Sequence, residues 1–208
     1  MHKFIKAFCL TIILSVCVSA QTNSDEYNRN EFYVGYSNQQ VNDFRRQPHN
    51  GFEVSYVRNV HRYVGIKGDF SAAYRNRNFP VLFPTASGDG SYRFENERSI
   101  YNFLGGVQVK DNASTARLKP FAHALVGVAH NRNKTKNFTC VSNCSGQALP
   151  LIPFSTSDTG FSGAFGGGLD IKINDKIDFR AIQVDYNPIY SNQRVNNNVR
   201  FGIGIVFK

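Results

Sequence analysis

A chain of 208 residues with a formal charge of +9, 13% aromatic residues and no tryptophan is long enough for one domain with a sizeable buried surface. Its basic residues are scattered rather than gathered into one stripe, and the export features described next place it where nucleic acid is absent, which argues against a nucleic-acid partner. Beyond the N-terminus no run approaches the ~18 apolar residues of a spanning helix, so any passage through a membrane must be made by strands.

The N-terminus has the layout of an export signal. Lys3 and Lys6 supply a positive start, residues 7–18 are apolar, and Val18, Ser19 and Ala20 offer the small-residue cleavage pattern, so the mature chain is expected to begin at Gln21. The alternative is a lipoprotein cleaved before Cys17, disfavoured because Val16 is bulky where a small residue is wanted. Loss of Lys3 and Lys6 takes the formal +9 to +7, a balance suited to a surface facing anionic lipid head groups. The expected organisation is a signal peptide over 1–20, a short polar segment over 21–30, and a single β-domain over 31–208.

From residue 31 the sequence settles into period-2 alternation, and eight segments carry it. In the first, Phe32, Val34 and Tyr36 oppose Tyr33, Gly35 and Ser37; in the second, Phe52, Val54 and Tyr56 oppose Gly51, Glu53 and Ser55. The third sets Val64, Ile66, Phe70 and Ala72 against Gly65, Lys67, Asp69 and Ser71, and the fourth Tyr101, Phe103, Val107 and Val109 against Asn102, Gly106, Gln108 and Lys110. The fifth, over 118–129, is ambiguous because Phe121 and Leu125 oppose Val126 and Val128. The sixth alternates Phe161, Phe165, Leu169 and Ile171 with Ser162, Ala164 and Asp170; the seventh, Ile182, Val184 and Tyr186 with Gln183 and Asp185. The last sets Val199, Phe201, Ile203, Ile205 and Phe207 against Arg200, Gly202 and Gly204.

Alternation alone fits a soluble sandwich equally well. The connections decide between the two. Those over 59–62, 111–117 and 174–176 are short, whereas those over 39–50, 75–98, 131–158 and 187–198 are long. Strict short–long alternation is expected when one end of a barrel faces the periplasm and the other the outside. Lipid also forbids open sheet edges, so strands that span it must close. The fold expected is all-β: a closed, eight-stranded, antiparallel up-and-down transmembrane β-barrel with four long outer loops and three short periplasmic turns.

The pattern resembles the family of small eight-stranded outer-membrane barrels, the OmpA transmembrane domain, OmpX and Ail among them. The resemblance covers 31–208 and is strongest in the last strand, 199–207, with apolar residues at alternate positions and a near-terminal aromatic followed by Lys208. It implies an outer-membrane location, contact with outer-membrane lipid and lipopolysaccharide, recognition of 199–207 by the outer-membrane assembly machinery, a monomeric state and no cofactor. The chain stops at that strand, so no periplasmic cell-wall-binding domain is expected, and Tyr and Phe must supply the interfacial girdle.

An eight-stranded interior is just wide enough for side chains to fill. The expected lumen charge network is Glu53, Lys67, Asp69, Lys110, Asp170, Asp185 and Arg200. A turn centred near Val60 places Glu53 opposite Lys67, and one centred between Asn192 and Gln193 places Asp185 opposite Arg200. Arg180 falls on the apolar parity of its segment, against this scheme. Cys140 and Cys144, the only cysteines after the signal, are expected to form a disulfide in an oxidising compartment; no ligand set for a metal accompanies them. Neither a catalytic triad nor a carboxylate constellation is evident, so no enzyme activity is expected. The role expected first is structural, in envelope integrity. The alternative is adhesion or ligand recognition through the basic loops 75–98 and 131–158, with Arg75, Arg77, Phe83, Arg132, Lys134 and Lys136 as the binding surface for an extracellular ligand; a narrow ion pore or a lipid-modifying enzyme ranks below both.

Overall fold

The computed structural model describes residues 27–43, 45–85, 88–144 and 153–208, with the side chains of residues 43, 45 and 85 left aside. The expected signal peptide and the start of the polar segment lie outside the described residues. The β-branched and aromatic alternation forms eight strands: β1 (Asn30–Asp43), β2 (Arg45–Asn59), β3 (Val64–Thr85), β4 (Gly88–Lys110), β5 (Leu118–Ser142), β6 (Phe154–Lys172), β7 (Ile177–Ser191) and β8 (Arg194–Phe207). Each pairs antiparallel with its sequence neighbour, and β1 pairs β8 from Phe32↔Phe207 to Gln40↔Val199, closing the barrel. Closure leaves no open sheet edge, which lipid would penalise at several kcal/mol per unmet group.

The strands are longer than the alternation suggested. β3, β4 and β5 have 22, 23 and 25 residues, whereas a tilted strand crosses the bilayer in about 9–11. The excess lies at one end, so the segments expected as irregular outer loops are mostly continued antiparallel hairpins. Between β7 and β8 the connection shrinks to Asn192 and Gln193, whose φ of 49° and 62° are both left-handed. Two consecutive left-handed residues make the tight turn whose twist matches flanking strands.

The lipid-facing parity carries Phe32, Val34, Tyr36, Phe52, Tyr56, Ile66, Phe103, Val107, Phe161, Phe165, Ile182, Phe201 and Ile203, all exposed. Tyr36, Tyr74, Tyr101 and Tyr186 ring the outer edge of this belt and Tyr56 and Tyr63 the periplasmic edge; Tyr36 Oη donates to Asn50 Oδ1 at 2.7 Å. The fifth segment resolves with Val126 and Val128 outward, while Phe121 and Leu125 are buried in the lumen.

Two registers differ from expectation. The β2–β3 turn is centred on Arg62, not near Val60, because five residues separate Asn59 from its partner Gly65; Glu53 is therefore opposite Ser71 and Lys67 opposite Val57. In β7 a β-bulge at Ala181 and Ile182 inserts one extra residue between Arg180↔Gly204 and Gln183↔Gly202. The bulge flips the parity below it. Arg180 consequently points into the lumen, correcting its expected lipid-facing parity.

Candidate functional site

The lumen is filled in layers. Its central layer is built around Arg200 of β8, which is fully buried. The register places Arg200 opposite Asp185, and its guanidinium bonds Asp185 Oδ2 at 2.8 Å, Asp69 Oδ1 at 2.8 Å and Ser71 Oγ at 3.0 Å, with Glu53 at 3.6 Å. Lys67 Nζ lies 3.8 Å from Glu53 and 3.7 Å from Asp69. Although Lys67 and Glu53 are not directly opposite, the lysine's four-carbon stem reaches along the lumen to meet it. His123 of β5 adds its Nε2 2.8 Å from Asp185 Oδ1.

Below, toward the periplasm, Arg180 bonds Asp170 at 2.8 Å, and Lys110 bonds both Asp170 at 3.2 Å and Glu31 at 2.6 Å. The Arg180 guanidinium is sandwiched between the rings of Tyr33 (4.3 Å) and Phe121 (4.0 Å). Tyr33 has room because Gly35 and Gly204 face each other beneath it, where an added Cβ would collide with the tyrosine and with backbone. Gln183 joins the two layers, accepting from Arg180 at 2.8 Å and donating to Glu53 at 2.9 Å and Asp185 at 2.8 Å.

Above, toward the outside, charges give way to neutral groups: Gln39 donates to Asn187, Asn102 to Ser71, and Ser162 to Asn102 at 2.8, 3.1 and 3.3 Å. Val41, Ile100, Ala129 and Ile189 then close the top as an apolar plug. Counted along the described lumen, the buried acids Glu31, Glu53, Asp69, Asp170, Asp178 and Asp185 face the buried bases Lys67, Lys110, Lys119, Arg180 and Arg200, with Lys208 on Asp178 as a further base. Charge is matched. The seven residues expected in the network all face the lumen; Glu31, Lys119 and His123 join them on inward parities, Asp178 and Arg180 through the bulge, and Lys208 beside Asp178.

The outer hairpins are different. Over 75–98 and 131–158 there are seven basic residues and four acidic ones. The expected binding residues divide between faces. Arg75 and Arg77 line a cavity of about 200 Å³ with Arg98, Gln47, Asn96, Asn133 and Phe79. Arg132 belongs to an adjoining cavity of about 390 Å³, which shares Arg98 and Asn133. Lys136 instead pairs with Glu97 at 2.6 Å, which raises its ammonium above the ordinary lysine value, and Lys134 stands opposite Glu97 in the ladder. Phe83 stacks on Tyr92 at 5.1 Å. Phe79, Phe94 and Phe138 form an aromatic column, with centroids 5.6 and 5.8 Å apart. Phe138 is brought to it by a bulge where Asn137 has a φ of 55°. Cys140 and Cys144 are disulfide-bonded at the hairpin end, Cα atoms 6.1 Å apart. Arg98 was missed among the expected binding residues, although the inward parity of Asn102 and Ile100 continues to it.

At the periplasmic end Arg62 forks onto Asp111 at 3.1 and 3.3 Å, fastening the β2–β3 and β4–β5 turns together. That hydrogen-bonded guanidinium holds the Asp111 carboxyl below the usual aspartate range.

Comparison with known proteins agrees with this architecture. A family model for the outer membrane protein beta-barrel domain matches residues 8–207. Two crystal structures of Ail, the attachment invasion locus protein of Yersinia pestis, are similar in fold. The one in complex with the heparin analogue sucrose octasulfate has a TM-score of 0.52 at 16% identity, covering 86% of this chain and 97% of that one. The other has a TM-score of 0.51 with the same identity and coverage, 16%, 86% and 97%. The Neisserial surface protein A structure is also similar, at 9% identity and a TM-score of 0.48 over 88% of this chain and 99% of that one. No curated protein sequence matches the chain. The location is the outer membrane. The chain belongs to the outer membrane protein beta-barrel domain family.

Proposed function

We propose that the protein serves chiefly as a structural component of the outer membrane, a barrel whose lumen is a solid plug rather than a passage. The observation that carries this is the matched, cross-bonded interior: Arg200 holds Asp69 and Asp185 at 2.8 Å each, and an apolar lid of Val41, Ile100, Ala129 and Ile189 seals the outer end. An ion entering this lumen would have to displace a buried charged partner, and stripping one member from such a pair costs about 3–5 kcal/mol. Planar-bilayer recording on the refolded protein tests this. The expected trace shows no discrete steps above the lipid baseline, and regular steps would overturn the reading in favour of a narrow ion pore. The last strand, 199–207, supports recognition by the outer-membrane assembly machinery; Phe207→Ser should slow assembly in cells.

A second reading, recognition of an extracellular ligand, is favoured by one specific feature. β3, β4 and β5 carry the ladder far past the lipid belt, and the Phe79–Phe94–Phe138 column and the Cys140–Cys144 link brace it. A braced, basic platform binds at lower ordering cost than a mobile loop. Cell binding by wild type and by a variant with 75–98 shortened to a tight turn tests it, sucrose octasulfate serving as a soluble competitor. Reduced binding of the shortened variant is expected; undiminished binding would remove the hairpin as the recognising surface.

A further inference from the structure

We infer that the groove at the periplasmic edge of the barrel wall, between the β4–β5 connection and the β6–β7 turn, is a binding site for one anionic phospholipid of the periplasmic leaflet. Arg117 and Lys172 take its phosphate, and Ile171, Ile173 and Phe179 take its glycerol and upper acyl chains. The site goes beyond the structural and recognition readings and depends on neither.

The groove starts on the last apolar rung of the lipid belt. Leu118 of β5 stands opposite Ile171 of β6, and Ile171 opposite Phe179 of β7. Phe179 joins this rung through the β7 bulge: the extra residue that turns Arg180 into the lumen turns Phe179 out toward lipid. Just past the rung, Lys172 N donates to Arg117 O at 2.8 Å. Ile173, 62% exposed, carries the apolar surface beyond the end of the strand. Thr115, Arg117, Ile171, Lys172, Ile173 and Phe179 line a cavity of about 500 Å³. Half of that lining is apolar and continuous with the belt, and the other half is cationic or hydroxylic. Such a division matches an amphiphile lying across the membrane edge. The volume falls in the roughly 300–1,000 Å³ range of small-molecule sites, enough for a head group and glycerol, with the chains lying along the belt.

The charge balance selects an anion. Around the groove, 111–117 and 172–176 carry Arg117, Lys172 and Lys176 against Asp111 and Asp175. Asp111 is already forked by Arg62 on the far side of its connection. That leaves three bases and one acid. Asp175 pairs with Lys172 at 2.6 Å but is 92% exposed, a surface pair of the kind that contributes little. Its carboxyl is held below the usual aspartate range by the Lys172 hydrogen bond and charge, with Lys208 and Lys119 adding to it, so this corner of the barrel is basic as a whole. Arg117 is exposed, and its planar guanidinium can present two parallel N–H donors to two phosphate oxygens.

The test uses the full mature chain folded in neutral detergent micelles, with lipid retention read by native mass spectrometry. The probes are phosphatidylglycerol and phosphatidylcholine with the same acyl chains. Wild type should retain one phosphatidylglycerol at severalfold lower concentration than phosphatidylcholine. Arg117→Gln should weaken retention of phosphatidylglycerol about fivefold, the worth of one base near an anionic surface, and leave phosphatidylcholine unchanged. Ile173→Ser should weaken both lipids, and Lys134→Gln, in the outer hairpins, neither. Equal retention of the two lipids by wild type, or retention unchanged in both Arg117→Gln and Lys172→Gln, overturns the site. Lipid A retained with the same dependence on Arg117 overturns the assignment to a phospholipid. A measurement on wild type alone guards against a variant that fails to give the compact, unheated gel band. The unfolding midpoint should be higher in equimolar phosphatidylcholine–phosphatidylglycerol vesicles than in phosphatidylcholine vesicles, and added sodium chloride should shrink that difference; a difference that is absent or indifferent to salt contradicts the proposal.

Discussion

The lumen and the outer hairpins are made from the same strands and the same kinds of residue, yet they treat charge in opposite ways. Within the lipid belt, the inward parity alternates acid and base so that Arg200 meets Asp69, Asp185 and Glu53, and Lys110 meets Glu31 and Asp170. Six residues beyond Asp69 in β3, the same inward parity sets Arg75 opposite Arg98. The first arrangement pairs opposite charges across the lumen, and the second sets like charges side by side in the ladder.

The comparison breaks most visibly at Arg200. Arg200→Met should cost about 3–5 kcal/mol, since it leaves three buried carboxylates facing one another without their shared cation. Urea titration of the compact, unheated gel band measures this, and a loss below 1 kcal/mol would mean that the lumen is wet enough to solvate them. Arg180→Leu should cost less, about 1.5–3 kcal/mol, because Lys110 still holds Asp170 at 3.2 Å; a cost matching Arg200→Met would show the two layers to be one cooperative unit. Lys67→Ala should lower the melting temperature clearly more than Lys134→Ala, whose change should stay within about 0.5 kcal/mol as for most surface sites. Equal shifts would contradict the assignment of Lys67 to the lumen.

At the hairpins the sign should reverse. Arg75→Gln removes a like-charge cross-strand opposition worth roughly 0.2–1 kcal/mol, so it should leave stability unchanged or raise it slightly. The smallest effect belongs to Arg62–Asp111. Because the folded carboxyl is held below its ordinary value, the pair contributes stability above the unfolded aspartate pKa and loses it as pH falls through the folded one. Asp111→Asn should therefore flatten the acid limb of the stability profile slightly and leave neutral pH almost unchanged, the pair being surface-placed.

How far these features can be read from sequence follows from where lipid acts as a constraint. In the belt one face must be apolar, so the alternation at Ile66–Lys67 or Val199–Arg200 shows through, and the short–long connections give the ends. The extended hairpins do not show through, because outside lipid neither face need be apolar; residues 39–50 are mostly polar on both parities, with Val41 and Phe44 isolated among them, and read as a loop. Arg180 was hidden by the Ala181 bulge, a one-residue insertion with no glycine or proline to mark it. The Glu53–Lys67 contact depended on a turn whose centre composition does not fix. The Arg75–Arg98 opposition, likewise, follows only once the β3–β4 register is known.

The contrast between the two charge arrangements is most directly tested by a pair of double-mutant cycles on reversible urea unfolding in detergent, one on Asp185–Arg200 and one on Arg75–Arg98. The account predicts an attractive coupling for the first, in the range of about 0.5–3 kcal/mol seen for contacting residues, and a coupling of opposite sign for the second. Couplings of the same sign would contradict it.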